Sequence, residues 1–293
     1  MTSIASPSFR AALVDRLQLT KPRITAMVVL TTAVGFLMAS RGPLRPAPFA
    51  AVLVGTALVA AGAAVLNQVL ERVSDAKMER TRLRPLPAGR VTPGQASRFG
   101  GLITVAGLAV LLGLCGALSA TLALASWASY LFVYTPLKRR TPLATLVGAV
   151  PGALPPVIGW SAAHGTLDPG AFILFAIVFL WQVPHFLAIA WLYRDDYARA
   201  GFPMLPVLDR EGSFTARQTL VHSLALLAVS LTPAVAGMAG GVYLAGAAAL
   251  GGALTVFSAR LVGARDVGAA RQLFFASIVY LPALSSLLVA GRP

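Results

Sequence analysis

Charge is scarce in this chain of 293 residues. Asp, Glu, Lys and Arg together make up only 12% of it, with 10 acids, 24 bases and 3 histidines. A soluble domain carries about a quarter charged residues, so a water-facing globule is excluded. Cysteine is nearly absent: Cys115 stands alone in an apolar run, which rules out an intramolecular disulfide and a cysteine-rich metal site. The first 23 residues are polar and basic and lack a small-residue cleavage site after a short apolar core, so the first hydrophobic run is expected to be a retained span rather than a secretory signal. What fills the chain instead is apolar. Hydrophobic residues reach 57%, mean hydropathy is +0.77, and several runs approach the roughly 20 residues that cross about 30 Å of hydrocarbon.

Apolar runs at approximately 24–40, 49–70, 99–117, 119–135, 143–162, 170–193, 217–237, 240–259 and 272–290 predict an all-α polytopic membrane protein. Its nine transmembrane helices are expected to surround a central cavity open to the cytoplasmic side. Residues 1–23 would form a cytoplasmic N-terminal segment, with a short interfacial helix over 8–19, and 24–293 a single transmembrane domain. The formal charge of +14 does not point to nucleic acid, because the bases sit in short loops between spans. They serve topology and anionic lipid headgroups in the bilayer. All of the 24 Lys and Arg except Arg41, Arg45 and Arg292 fall on one side of a nine-span arrangement. By the positive-inside rule, the N-terminus is then cytoplasmic and the C-terminus outside, in a bacterial-type inner membrane. Pro151, Pro155 and Pro156 predict a bent fifth span that opens volume inside the bundle.

The densest polar stretch runs from Asn67 to Leu86, after the second span. Asn67, Glu71 and Asp75 are four residues apart and share one helix face. Arg80, Arg82 and Arg84 follow, and Pro85 cannot continue a helix. Hard Mg²⁺ takes carboxylate oxygens and bridges them to phosphates, while guanidinium forks suit the phosphate oxygens that remain. The stretch therefore has the ingredients of a Mg²⁺–diphosphate site, with a solvated helix end and its acid–base pairs as the plainer alternative. Asn67 and Asp75 lie about 12 Å apart on ideal helix. Either two ions share the site or Asn67 contacts the diphosphate.

Two basic segments can hold the outer phosphate or simply anchor helix ends: Lys138 and Arg139, before span five, and Lys21 and Arg23, before span one. A second acidic pair, Asp195 and Asp196, follows the sixth span as the first cluster follows the second, a faint sign of parallel duplication around a shared cavity. Adjacent residues point about 100° apart on a helix, so one of the two is expected to face the first motif. His185 lies within span six, where an ionisable side chain is a functional candidate by default. A histidine satisfied by a neighbouring helix is the competing account.

The run Asn67…Glu71…Asp75…Arg80-Thr81…Arg84-Pro85-Leu86 resembles the first signature of the membrane-intrinsic polyprenyltransferase superfamily. Thr20-Lys-Pro-Arg-Ile-Thr25, Tyr134–Pro142, Pro155-Pro-Val-Ile-Gly-Trp160, Trp181-Gln-Val-Pro-His-Phe186 and Asp196–Val207 are similar to its haem-farnesylating branch. That family usually has Asp where this chain has Glu71, and its second motif has spaced aspartates where only Asp195 and Asp196 are present here. The resemblance implies a Mg²⁺-dependent enzyme that moves farnesyl from farnesyl diphosphate to a vinyl group of haem b, with water addition, to give haem O. It assigns Asn67, Glu71, Asp75, Asp195 and Asp196 to catalysis, with Glu71, Asp75 and Asp196 on metal. Lys21, Arg23, Arg80, Arg84, Lys138 and Arg139 would hold the diphosphate, and His185 and Trp181 the porphyrin. It leaves open a hand-off to a downstream haem-modifying enzyme or oxidase assembly. Two other readings remain: a relative with an aromatic acceptor such as 4-hydroxybenzoate, and a secondary transporter, against which the position of the acids at the membrane edge argues.

Overall fold

A computed structural model describes residues 9–292. A short helix, α1 (Phe9–Leu19), precedes the spans α2 (Pro22–Ala39), α3 (Pro46–Asp75) and α4 (Pro93–Cys115). The fourth span is composite: α5 (Ala117–Ala128), a π-helical turn over Ser129–Tyr134, and α6 (Thr135–Leu137). Then come α7 (Ala144–His164), α8 (Pro169–Leu192), two short helices α9 (Arg194–Arg199) and α10 (Leu205–Leu208), and the spans α11 (Ser213–Val235), α12 (Gly241–Ala264) and α13 (Val267–Ala290). Among the described residues, nine helices are long and apolar enough to cross a membrane, as the apolar runs predict.

Local chemistry starts these helices. Pro22, Pro46, Pro93 and Pro169 occupy first-turn positions, where the missing N–H costs nothing. Thr92 and Gln95 form a reciprocal capping box. Asp168 and Asp266 accept the N–H groups of Gly170 and Ala269. Hydropathy underestimates several helix lengths. The second span continues to Asp75, the third begins at Pro93, and Arg260 and Arg271 are helical rather than loop. Charged side chains at helix ends keep backbone hydrogen bonding intact while their heads reach water.

The second, fifth and sixth spans are the most enclosed, and the third and fourth face outward. Prolines in α7 do two things. Pro155 leaves the Pro151 carbonyl without its helical donor, and the Ser126 hydroxyl donates to it at 2.9 Å. Around Pro156 the helix presses against α2, where a side chain on Gly35 or Gly159 would collide with the Pro156 or Thr32 carbonyl oxygen. The proline-rich span thus gives close helix contact as much as space. One narrow apolar cleft lies between α2, α7, α8 and α13, bordered by Thr31, Val34, Pro156, Ile177 and Leu284.

At the other end of the bundle, α1 leads into the first span. Leu13, Val14 and Leu17 point outward, whereas Leu19 is fully buried and Asp15 pairs with Arg90 at 2.9 Å. Gln68 on α3 donates to the Leu19 carbonyl at 2.7 Å and ties α1 to the second span. The loop after α3 and the loop after α8 meet here, around a small apolar cluster of Met78, Ala190, Tyr197, Phe202 and Met204.

Candidate active site at the polar rim

Because α3 stays helical through Asp75, Asn67, Glu71 and Asp75 project from one face, and all three are buried. Burial makes unpaired carboxylates costly, and each finds a cation on another segment. Glu71 meets the Lys138 ammonium with both oxygens, at 3.2 and 3.4 Å. Asp75 pairs with Arg84 at 2.9 Å. Asn67 accepts from the Lys21 ammonium at 3.2 Å and donates to the Thr135 hydroxyl at 3.1 Å. Its amide is therefore engaged on both sides, two helical turns from Asp75.

Lys21 sits at the elbow between α1 and α2 with φ of 49°, a left-handed backbone rare outside glycine and strained directly before a proline. Such conformations cost of order 1–3 kcal/mol and collect at functional sites. Burial, then the Arg84 guanidinium, pull its ammonium down to about 8, with Glu71 and Asp75 partly opposing. Lys138 moves the other way. Burial alone would lower it, but Tyr134 and Glu71, with Tyr197 and Tyr130, hold it above the ordinary lysine value.

The second acidic pair divides as helix geometry requires. Asp195 is exposed, with 86% of its side chain accessible, and lies 3.8 Å from the guanidinium of its neighbour Arg194. Asp196 is buried and accepts the backbone N–H groups of Glu79 and Arg80, each at 3.2 Å, and a bond from Arg199. Burial alone would raise its carboxyl, yet those two N–H groups and Arg199 hold it below the usual carboxylate range. This contact joins the two acidic segments. It also sets Arg80 beside Tyr193 and Tyr197, with its guanidinium 5.0 Å from the Tyr193 ring and 3.4 Å from the Tyr197 hydroxyl.

Lys21, Arg80, Arg84 and Lys138 thus gather around the carboxylates and outnumber them. Arg23 and Arg139 do not join them. Both are exposed, and Arg139 donates to the Leu70 carbonyl at the end of the second span. No group of three or more His, Cys, Asp or Glu side chains converges among the described residues; the acids are spread along the rim, each beside its own base.

Deeper in the bundle, His185 is stacked between Trp181 and Phe274, at centroid distances of 4.9 and 5.3 Å. Ser277 of α13 anchors both α8 side chains. Its carbonyl accepts from Trp181 Nε1 at 2.7 Å and its hydroxyl meets His185 Nδ1 at 2.8 Å. Sequence reasoning passes over Ser277 and Thr135. A lone hydroxyl in a span is visible as a polar residue, but its partner lies 92 positions away for Ser277 and 68 for Thr135.

The chain belongs to the UbiA prenyltransferase family, whose model matches residues 28–279, and is thus a membrane prenyltransferase. It is 44% identical over 288 residues to a protoheme IX farnesyltransferase from Solibacter usitatus, covering 95% of this chain and 99% of that one. A protein of the same name from Sorangium cellulosum is 48% identical over 256 residues, covering 86% and 90% of the two chains. In fold it resembles a UbiA homologue from Aeropyrum pernix (TM-score 0.71, 19% identity, 91% and 97% coverage). It also resembles one from Archaeoglobus fulgidus bound to GPP and Mg²⁺ (TM-score 0.69, 16% identity, 94% and 99% coverage).

Proposed function

We propose that this protein transfers the farnesyl group of farnesyl diphosphate to a vinyl group of haem b, adding water and releasing diphosphate to give haem O. The donor half rests on one observation: the buried Glu71 and Asp75 stand with the half-buried Lys21 and Lys138 at the rim of an apolar bundle. The acceptor half is supported by the near full-length likeness to proteins named protoheme IX farnesyltransferase.

The donor set fits Mg²⁺. Glu71 and Asp75 are hard-oxygen donors one turn apart, and the cations now beside them are long side chains able to turn toward phosphate. These two carboxylates would hold the metal, while Asp196, bonded to the Glu79 and Arg80 N–H groups, holds the turn that carries Arg80. When bound, Mg²⁺ neutralises diphosphate charge. Lys21, Arg80, Arg84 and Lys138 bind the diphosphate oxygens, where negative charge grows as the allylic C1–O bond breaks and its electron pair leaves with diphosphate. Apolar side chains of the spans around the rim keep water from the allylic cation. The vinyl π electrons form the new C–C bond. Water then adds to the porphyrin-side cation and loses a proton, leaving a hydroxyethylfarnesyl substituent. Trp181 and His185 contact the porphyrin, and the His185 imidazole ligates its iron.

We further infer residence in a bacterial inner membrane with the rim facing the cytoplasm, supported by the one-sided Lys and Arg distribution. Pigment extracts of cells expressing the chain and supplied with haem b test the whole reading. A farnesylated haem of haem O mass is expected. A prenylated aromatic acid in its place overturns the acceptor, and no prenylated product at all overturns the donor as well.

A further inference from the structure

His185 has both ring faces covered, by Trp181 and Phe274, so only its edges remain for chemistry. At one edge Nδ1 lies 2.8 Å from Ser277 Oγ. That hydroxyl has a single proton, and its oxygen stands 2.6 Å from the Phe274 carbonyl, an acceptor with nothing to donate. When that proton goes to the Phe274 carbonyl, Ser277 Oγ meets the imidazole as an acceptor and the ring hydrogen sits on Nδ1. The lone pair is then on Nε2, which bonds to no described residue and is not among the fully enclosed polar atoms without a partner.

We propose that Ser277 is a positioning residue for the acceptor: by accepting Nδ1–H it selects the imidazole tautomer and ring orientation whose Nε2 lone pair binds the iron of the incoming porphyrin. The inference rests on the haem reading above and extends it to α13, the last span. A metal-bound histidine ordinarily donates its other ring N–H to an oxygen, which sets the tautomer and raises ligand basicity. Here the oxygen comes from a side chain that is 0% exposed. Trp181 is held separately, by the Ser277 backbone carbonyl. Ser277→Ala therefore deletes the histidine contact while keeping the tryptophan anchor, a narrower perturbation than most substitutions in a packed span.

The test uses the full-length protein in lipid nanodiscs, titrated with haem b, with the iron–imidazole stretching band of the ferrous complex read by resonance Raman. Wild type is expected to show the band, and His185→Ala to lose it. Ser277→Ala should lower its frequency and weaken haem binding about tenfold, the smaller end of what such partners contribute, and Ser277→Thr, which keeps the hydroxyl, should restore both. An unchanged band and affinity in Ser277→Ala overturn the positioning role. An unchanged band in His185→Ala overturns the ligand assignment, and Ser277 with it, while haem O formation by the same preparation leaves the farnesyl transfer reading standing. A wild-type protein that neither binds haem b nor farnesylates it overturns both.

Discussion

The two acidic segments look alike in sequence, each a pair of carboxylates following a long span, yet the structure treats them oppositely. Glu71 and Asp75 on α3 face long basic side chains from other segments, Lys138 and Arg84. Asp196 on α9 is held by backbone, the N–H groups of Glu79 and Arg80, with Arg199 beside it. A cationic side chain can turn from a carboxylate to a phosphate oxygen, but a backbone N–H cannot turn without unmaking the loop. The first segment is therefore built to exchange partners, and the second to hold the Arg80 turn in place.

The most damaging way to probe that contrast is to neutralise the first segment. Glu71→Gln and Asp75→Asn should each cut farnesyl transfer by about 10²–10³-fold, the scale of removing an electrostatic group from a charge-developing transition state. Initial rates with farnesyl diphosphate, on protein that remains monodisperse, provide the check. Full turnover in both would remove the metal site from α3. Asp196→Asn should instead register first as lost stability, about 1–3 kcal/mol for a charged acceptor of buried N–H groups. Thermal unfolding in detergent reads it, and a variant with wild-type stability would mean that the second segment is not a clamp.

The basic residues extend the comparison. Arg84→Gln should raise KM for the diphosphate substrate about 10-fold or more, as loss of a charge-assisted bond predicts. The exposed Arg23→Gln should stay within about twofold, as surface changes do. Equal effects would say that the rim recruits charge from a distance rather than by contact.

Lys21 adds a pH dependence. Its ammonium is already lowered to about 8, so it is charged below that pH and neutral above it. kcat/KM, which reports the free enzyme, should hold to about pH 8 and then fall, and Lys21→Arg should carry the plateau higher because guanidinium keeps its proton. A wild-type profile flat to pH 10 would remove Lys21 from the diphosphate contacts. The smallest effect is expected at Asp195. Its side chain is 86% accessible, and Asp195→Asn should leave rate and stability within about 0.5 kcal/mol of wild type.

Much of the molecule is legible from local rules. Hydropathy locates nine spans, proline and capping residues mark where several begin, and the spacing of Asn67, Glu71 and Asp75 puts them on one face before any coordinate is known. Helix ends are less legible. The run of α3 through Arg72 to Asp75 costs little because backbone bonding continues, Arg72 reaches water and the buried Asp75 is paired with Arg84. The π-helical turn at Ser129–Tyr134, which carries the fourth span into Thr135, has no composition signal.

Membrane residence, helix count, the one-sided basic loops and the shared face of the α3 acids belong to the sequence alone, because each depends on composition or on neighbours within one helical turn. Tertiary structure alone decided that Asp196 rather than Asp195 turns inward, that Lys138 and Arg84 neutralise the first motif, and that Ser277 meets His185. Those pairings depend on the rotation of each helix about its own axis and on which loops meet in space. Packing among distant segments sets both, and no local periodicity encodes either.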